Sequence, residues 1–166
     1  MVAISKLDRI DFEILRALQN NARLSNKELA ALVDLAPSTC LERVRRLQSS
    51  GTLRGFHAAV DSRALGVELH ALISVRIRRH SRSLIERFRK HALVLNEVMT
   101  LYHIAGANDF LMHVVVRDAE HLQHLVLDAF TTRSEVEHME TVLVFGHEEK
   151  HVLPNYVQPH GERRDG

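Results

Sequence analysis

The sequence predicts an α+β chain in two parts: three short helices, then two helices on one face of a four-stranded antiparallel sheet. Three observations carry this expectation. Apolar residues recur at helical spacing through the first fifty positions of the 166-residue chain. Strict apolar/polar alternation follows in "ELHALISVRIRR", Glu68 to Arg79. From there, strand-like and helix-like patterns succeed one another in the order βαββαβ.

The bulk numbers allow this and exclude little else. The composition is 45% hydrophobic and 26% charged, ordinary for a soluble globular protein. No apolar run approaches the roughly 18 residues of a membrane helix. The start, "MVAISKLDRIDFEIL", lacks a charged stretch followed by an apolar block, so no secretory signal is expected. Cys40 is the one cysteine, which rules out an internal disulfide and points to a bacterial-type cytoplasm. No Gly-rich phosphate loop is found.

Charge separates the two parts. Residues 1–56 carry nine Lys/Arg and six acids, a net of +3; the remainder carries thirteen and fifteen, a net of −2. All twelve histidines lie at or after His57. A basic N-terminal module followed by a chemically different one is the consequence.

In the first helix Ile10, Ile14, Leu15 and Leu18 form the apolar stripe. Asp8 is placed to accept the free amides of the first turn, with Leu7 and Phe12 as a staple. The second helix is marked by Ser25-x-x-Glu28, a capping box, inside "LSNKELAALV", with Leu24 and Leu29 stapling it. After the break Asp34-Leu35-Ala36, Pro37 opens the third helix, where its missing amide hydrogen had no partner. On a wheel of the third helix, Pro37, Cys40, Leu41, Val44 and Leu47 gather on one side. Thr39, Glu42, Arg43 and Arg46 gather on the other, with Ser38 and Arg45 flanking. Gly51 ends it. Two helices and a tight turn, the second carrying hydroxyls first and arginines later, form a helix-turn-helix pattern. Ser38 and Thr39 can reach phosphate or base edges; Arg43 and Arg46 can neutralise phosphates or pair with guanine. Double-stranded DNA is the partner this implies. In "TLRGFHAAVDSRALG", Leu53, Phe56, Ala58 and Val60 predict one or two short wing strands around Gly55, with Arg54 able to touch phosphate. The candidate DNA-facing set is Ser25, Asn26, Ser38, Thr39, Glu42, Arg43, Arg45, Arg46 and Arg54.

In the second part, Leu69, Ala71, Ile73, Val75 and Ile77 point to one face of the first strand. Ser83-x-x-Glu86 predicts a capping box for the next helix, with Leu84, Ile85, Phe88 and Ala92 as its stripe. "VMTLYHIA" and "FLMHVVV" read as a hairpin joined by "GAND", where Gly106 and Asn108 can take positive φ. Asp118 caps a helix with Leu122, Leu125, Val126, Ala129 and Phe130 at helical spacing, and "VEHMETVLVF" is the last strand. The result is a ferredoxin-like sandwich. Its uncovered sheet face carries apolar groups, so a second subunit is expected to bury it. Domain boundaries follow: 1–52 the helix-turn-helix, 53–66 the wing or linker strand, 67–153 the sandwich, and 154–166 an extended arm ending in disorder.

"LDRIDFEILRALQNNARLSNKELA", "VRRLQSSGTLRGF" and the Gly106-x-x-Asp109 turn together resemble the leucine-responsive/AsnC family of feast-or-famine regulators, over roughly residues 5–153. The resemblance implies a transcription regulator whose sensory domain assembles dimers, and often octamers, and binds an amino acid or similar small molecule between subunits. It implies no cofactor and no catalysis. Residues Tyr102, Ile104, Gly106, Ala107, Asn108 and Asp109 would then belong to the effector pocket; the family usually has an aromatic residue where Asn108 stands. Freed amides around Gly106 could hold a carboxylate and Asp109 an ammonium group, the two needs of a zwitterion.

Two other functions compete. His121 and His124 at i, i+3, with His147 and His151 nearby, suggest a metal-responsive regulator, although metal sites want three or four converging ligands. His103 and His113 on adjacent strands could share a cavity, as in the sirohaem decarboxylases built on a related scaffold.

Overall fold

The computed structural model describes residues 7–78 and 81–157. It divides into two compact units: Met1–Ala59 with Glu148–Gly166, and Val60–His147.

The first unit holds α1 (Arg9–Asn20), α2 (Asn26–Leu32) and α3 (Pro37–Ser49). The start of α1 is a reciprocal cap. The Asp8 carboxylate accepts the Asp11 amide at 2.9 Å, and the Asp11 carboxylate accepts the Asp8 amide at 3.1 Å. Ser25 and Glu28 close α2 in the same way, and Pro37 is the first residue of α3. Between α2 and α3 the chain turns through Asp34 in the left-handed region, φ +52°, while Leu35 N–H returns to Ala30 O at 2.9 Å. This is a Schellman closure with aspartate where glycine is usual. Gly51, φ +72°, turns the exit of α3 so that Leu53 N–H reaches Leu47 O. Ile14, Leu18, Leu29, Val33, Cys40 and Leu47 are buried between the three helices. Burial alone pushes the Cys40 thiol up, which suits a core residue rather than a nucleophile.

One expectation changes at the end of this unit. Residues 53–61 form no strand; Phe56 and Val60 are exposed on irregular backbone. A strand exists only as part of a ladder, and among the described residues this segment pairs with none. The arm expected at 154–166 carries no regular structure over its described residues, 154–157. Leu153 N–H donates to Gln19 Oε1 at 2.7 Å, and residues 152–155 and α1 wall a groove of about 730 Å³. The predicted disorder falls at 158–166, outside the described residues.

The second unit opens with a short 3₁₀ turn, Ser62–Leu65. Then come β1 (Leu69–Ile77), α4 (Arg82–Ala92), β2 (Val98–His103), β3 (Phe110–Val116), α5 (Ala119–His124) and β4 (Val136–Val144). The sheet order is β2-β3-β1-β4, antiparallel throughout. This is the expected βαββαβ sandwich. Ala71, Ile73, Val75 and Ile77 of β1 and Phe110, Met112, Val114 and Val116 of β3 are buried against Phe88, Leu122, Leu125 and Phe130 of the helical layer. The Phe88 ring centroid lies 4.9 Å from Phe110 and 6.1 Å from Phe130.

The N-cap of α4 is Ser81, whose hydroxyl accepts the Leu84 amide, not Ser83. Ser83 lies inside the helix, and Glu86 instead pairs with Arg89 at 2.9 Å. The helix after Asp118 also departs from expectation. Beyond His124 it widens into a π-helical stretch, Leu125–Thr131. There Thr131 Oγ1 donates to Val126 O, and His91 Nε2 sits 2.7 Å from Ala129 O. The widening leaves carbonyls to be satisfied by side chains, and these two supply that.

Candidate nucleic-acid interface and effector turn

The apolar side of α3 is anchored by Cys40 and Leu47, both fully buried. Directly opposite them, at helical spacing, stand Ser38, Glu42, Arg45 and Ser49, all exposed. That outward ridge differs from the one anticipated, because Arg43 and Arg46 lean sideways onto α1. Arg43 Nη1 contacts Asp8 Oδ2 at 2.6 Å and Asp11 Oδ1 at 2.9 Å. Arg46 Nη2 reaches Asp11 Oδ1 and Oδ2 at 2.7 and 2.6 Å. Asp11 has no exposed side-chain surface, Arg43 retains 24% and Arg46 48%. A fully buried carboxylate requires cations, and α3 provides both. Arg43 and Arg46, both expected to face DNA, thus also fasten α3 to α1, each through one guanidinium nitrogen. Burial pushes the Asp8 carboxyl up, but the Asp11 amide and Arg43 outweigh it and hold it below the usual range. The same pairing raises Arg43.

The other candidates separate similarly. Asn26 Nδ2 donates to Pro37 O at 2.8 Å and so latches the start of α2 to the start of α3. Ser25 Oγ is committed to Glu28, 2.7 Å away. Thr39, Glu42, Arg43 and Arg46 line a depression of about 300 Å³ beside the ridge. Arg45 and Arg54 are exposed and make no ion pair among the described residues.

In the second unit, Ile104 N–H donates to Asp109 O at 2.8 Å and closes the β2–β3 turn. Gly106 has φ +133°, where side chains are strained; Asn108 does not take positive φ. Asp109 is 5% exposed, and its Oδ2 accepts the Ile77 amide at 2.7 Å while its own amide donates to Val75 O. Asp109 thus ties the turn to β1. Tyr102, Ile104, Gly106 and Ala107 are exposed along the turn, and Asn108 is half-buried.

The uncovered sheet face was only partly legible in advance. Strand registers put Leu72, Leu111, Val115, Val142 and Val144 on the side away from the helices, and Val142 is 51% exposed. At one end of that face lies a histidine group that sequence reading missed. His70 Nδ1 is 3.0 Å from His113 Nε2, and the His147 ring centroid is 5.0 Å from that of His70. Positions 70 and 113 lie 43 apart, so only the register of β1 on β3 reveals the pair. His103 instead stacks on Phe110 at 5.0 Å, on the helix side, so it shares no cavity with His113. His121 lies 3.2 Å from Glu97, and His124 lies within 4 Å of Glu120 and Asp128. Among the described residues no group of three or more His, Cys, Asp or Glu is arranged to hold a metal ion.

Residues 7–54 match the winged helix-turn-helix DNA-binding family, and residues 70–152 match the Lrp/AsnC ligand binding domain. The HTH-type transcriptional regulator AldR of Mycolicibacterium smegmatis is 43% identical over 85% of this chain and 82% of its own length. The chain belongs to the Lrp/AsnC family. It is a DNA-binding transcriptional regulator with a ligand-binding domain. The leucine-responsive regulatory protein of Rhizobium meliloti is 33% identical over 86% of this chain and 92% of its own. Among solved structures, a transcriptional regulator of Neisseria meningitidis in complex with L-Met superposes with a TM-score of 0.80 at 30% identity, covering 87% of this chain and 93% of that one. No helix among the described residues is long and apolar enough to cross a membrane.

Proposed function

We propose that this Lrp/AsnC regulator reads operator DNA through the outward ridge of α3 as a homodimer in the cytoplasm, and that an amino acid held at the β2–β3 turn adjusts the binding. The observation that carries the reading is the ridge itself: Ser38, Glu42 and Arg45 stand exposed directly above the buried Cys40 and Leu47. A helix so anchored offers its polar side to a major groove. Arg45 is suited to guanine, Glu42 to the amino group of cytosine, and Ser38 and Thr39 to phosphate. Arg54 follows α3 and supplies a backbone contact.

The apolar uncovered sheet face supports self-association. Burying Leu72, Leu111, Val115 and Val142 against a second copy removes a patch that a monomer leaves wet. Two α3 copies on a pseudo-palindromic site follow from that symmetry, and further assembly to an octamer fits the same family pattern. The effector reading rests on the exposed turn. Open amides at Gly106 and Ala107 suit a carboxylate, Tyr102 and Ile104 suit an apolar side chain, and Asp109 positions the turn. An amino acid supplies both the carboxylate and the side chain that these features suit. The effector works by preferring one assembly, or one arrangement of the DNA-binding units, over another.

The test is a thermal-shift screen of the twenty amino acids, followed by footprinting upstream of the gene's own start with and without the hit. A ligand selective for the native state raises the melting temperature. Arg45→Ala is expected to relax preference at one base pair by about 1–3 kcal/mol. A protein that sediments as a monomer at micromolar concentration, or an Arg45→Ala variant with unchanged operator affinity, overturns the corresponding part.

A further inference from the structure

The arginines that the sequence offers to DNA enter the free protein already bound to aspartates. We infer that Asp8 is an internal competitor for the DNA-facing charge of Arg43: an electrostatic latch that withholds one phosphate contact from the recognition helix. The inference rests on the reading that α3 lies against DNA.

The two aspartates do different jobs. Asp11 is completely buried and engages Arg43, Arg46 and the Asp8 amide at once, so it belongs to the structure of the unit. Asp8 keeps half its side-chain surface and holds Arg43 with a single oxygen, Oδ2, at 2.6 Å. Its other oxygen caps α1 on the Asp11 amide. Helix capping needs an acceptor and not a charge. The negative charge of Asp8 is thus surplus to the cap.

That charge counts beside DNA. Asp8, Asp11, Arg43 and Arg46 sum to zero, although Arg43 and Arg46 both border the depression next to the outward ridge with Thr39 and Glu42. Each guanidinium spends one nitrogen on carboxylate and keeps other donors. Removing the Asp8 charge leaves a net positive trio at that rim. An exposed ion pair is weak enough for phosphate to rival it.

The test is the salt dependence of duplex binding by the full-length protein, comparing wild type with Asp8→Asn, which retains the cap. The expected result is a slope of log K against log salt steeper by about 0.9, the release expected for one further phosphate. Affinity at low salt should rise by up to about fivefold. The gain should be equal on operator and unrelated duplex, because phosphates carry no sequence information. In an Arg43→Gln background Asp8→Asn should gain nothing. A gain that persists there reports only the removal of an anion and overturns the latch, as does an unchanged slope in folded Asp8→Asn. Asp8→Ser, another capping residue, serves if the asparagine variant does not fold. Arg45→Ala reads the docking of α3 separately. If it weakens operator binding while Asp8→Asn changes nothing, the latch alone fails; if it changes nothing, α3 docking fails.

Discussion

The two units of this chain weight apolar packing and buried charge differently: each holds a buried carboxylate between arginines, Glu135 in one and Asp11 in the other, but only Asp11 is met by two arginines of a single neighbouring helix. In the sandwich, phenylalanine and aliphatic side chains from β1, β3, α4, α5 and the π-helical stretch close one continuous apolar core. In the DNA-binding unit the apolar core is small, and a fully buried aspartate bound by two arginines joins α1 to α3. The difference follows from what each unit must present. A sandwich can hide its core between sheet and helices. A three-helix unit that exposes a polar recognition helix has little apolar surface left to fasten it, so charge pairing substitutes. Lost volume at the centre of the sandwich and lost charge at Asp11 should therefore be felt in different units.

The sharpest break of that contrast is Phe88→Ala. Phe88 is fully buried against Phe110 and Phe130, and its removal should cost the sandwich about 3–5 kcal/mol. Hydrogen exchange resolved by unit should show the loss in β1, β3 and α4 and leave α1 and α3 unchanged; equal loss in both units would refute independent cores. Asp11→Ala is the counterpart. It leaves Arg43 and Arg46 without their buried partner, but both retain access to water, so the expected cost is nearer about 3 kcal/mol. It should appear in α1 and α3 and spare the sheet. A loss below about 1 kcal/mol would show that packing, and not charge, fastens the unit.

Both units lose stability in acid through lowered carboxylates, but the sandwich should also respond nearer neutral pH. Burial, and then the neighbouring His147, hold the His70 imidazolium below the usual 6.5. In the fold His70 stays neutral where the unfolded chain binds a proton. Sandwich stability is therefore fully present above 6.5 and falls as pH drops through it, until the folded imidazole protonates as well. The DNA-binding unit responds lower. The Asp8 carboxyl lies below 3.8, and Ser25 holds Glu28 below 4.5, so their contributions are present above those values and lost only as pH falls beneath them. Urea midpoints between about pH 7.5 and about 5.5 should fall for wild type and stay flatter for His70→Gln. A parallel fall in both proteins would assign the effect elsewhere.

Periodicity made most of the fold readable. Alternation in β1 and β3, the Ser25-x-x-Glu28 box and Pro37 at a helix start are local signals, and local sterics and capping decide them. Whatever depends on a second element was harder to read. A helical wheel gives the angle of Arg43 around α3 but says nothing of α1 beside it. One clue was present: Asp11 occupies the same stripe as Ile14 and Leu18, and a carboxylate on an apolar stripe implies a cation to meet it. The His70–His113–His147 group depends on strand register, which no short window contains. The wing strands failed for a related reason, since alternation at 53–60 describes a strand without supplying its ladder. Ser81 and Ser83 offered the same capping residue two positions apart, and spacing alone chose wrongly.

The smallest effect bears on the turn that sets α3 against α2. Asp34 is the one non-glycine residue at positive φ among the described positions, at the Schellman position of α2. A β-carbon is strained there, whereas glycine is not. Glycine also gains freedom in the unfolded chain, which opposes the relief. The two nearly cancel, and Asp34→Gly should stabilise the DNA-binding unit by less than about 1 kcal/mol. Asp34 is exposed, and removing its charge also takes an anion from the unit that meets DNA. The stability change belongs to the free protein and survives high salt, while any gain in duplex affinity should vanish there. Thermal unfolding and anisotropy titrations at two salt concentrations separate them. Destabilisation at both would mean that the Asp34 side chain supports the turn rather than straining it.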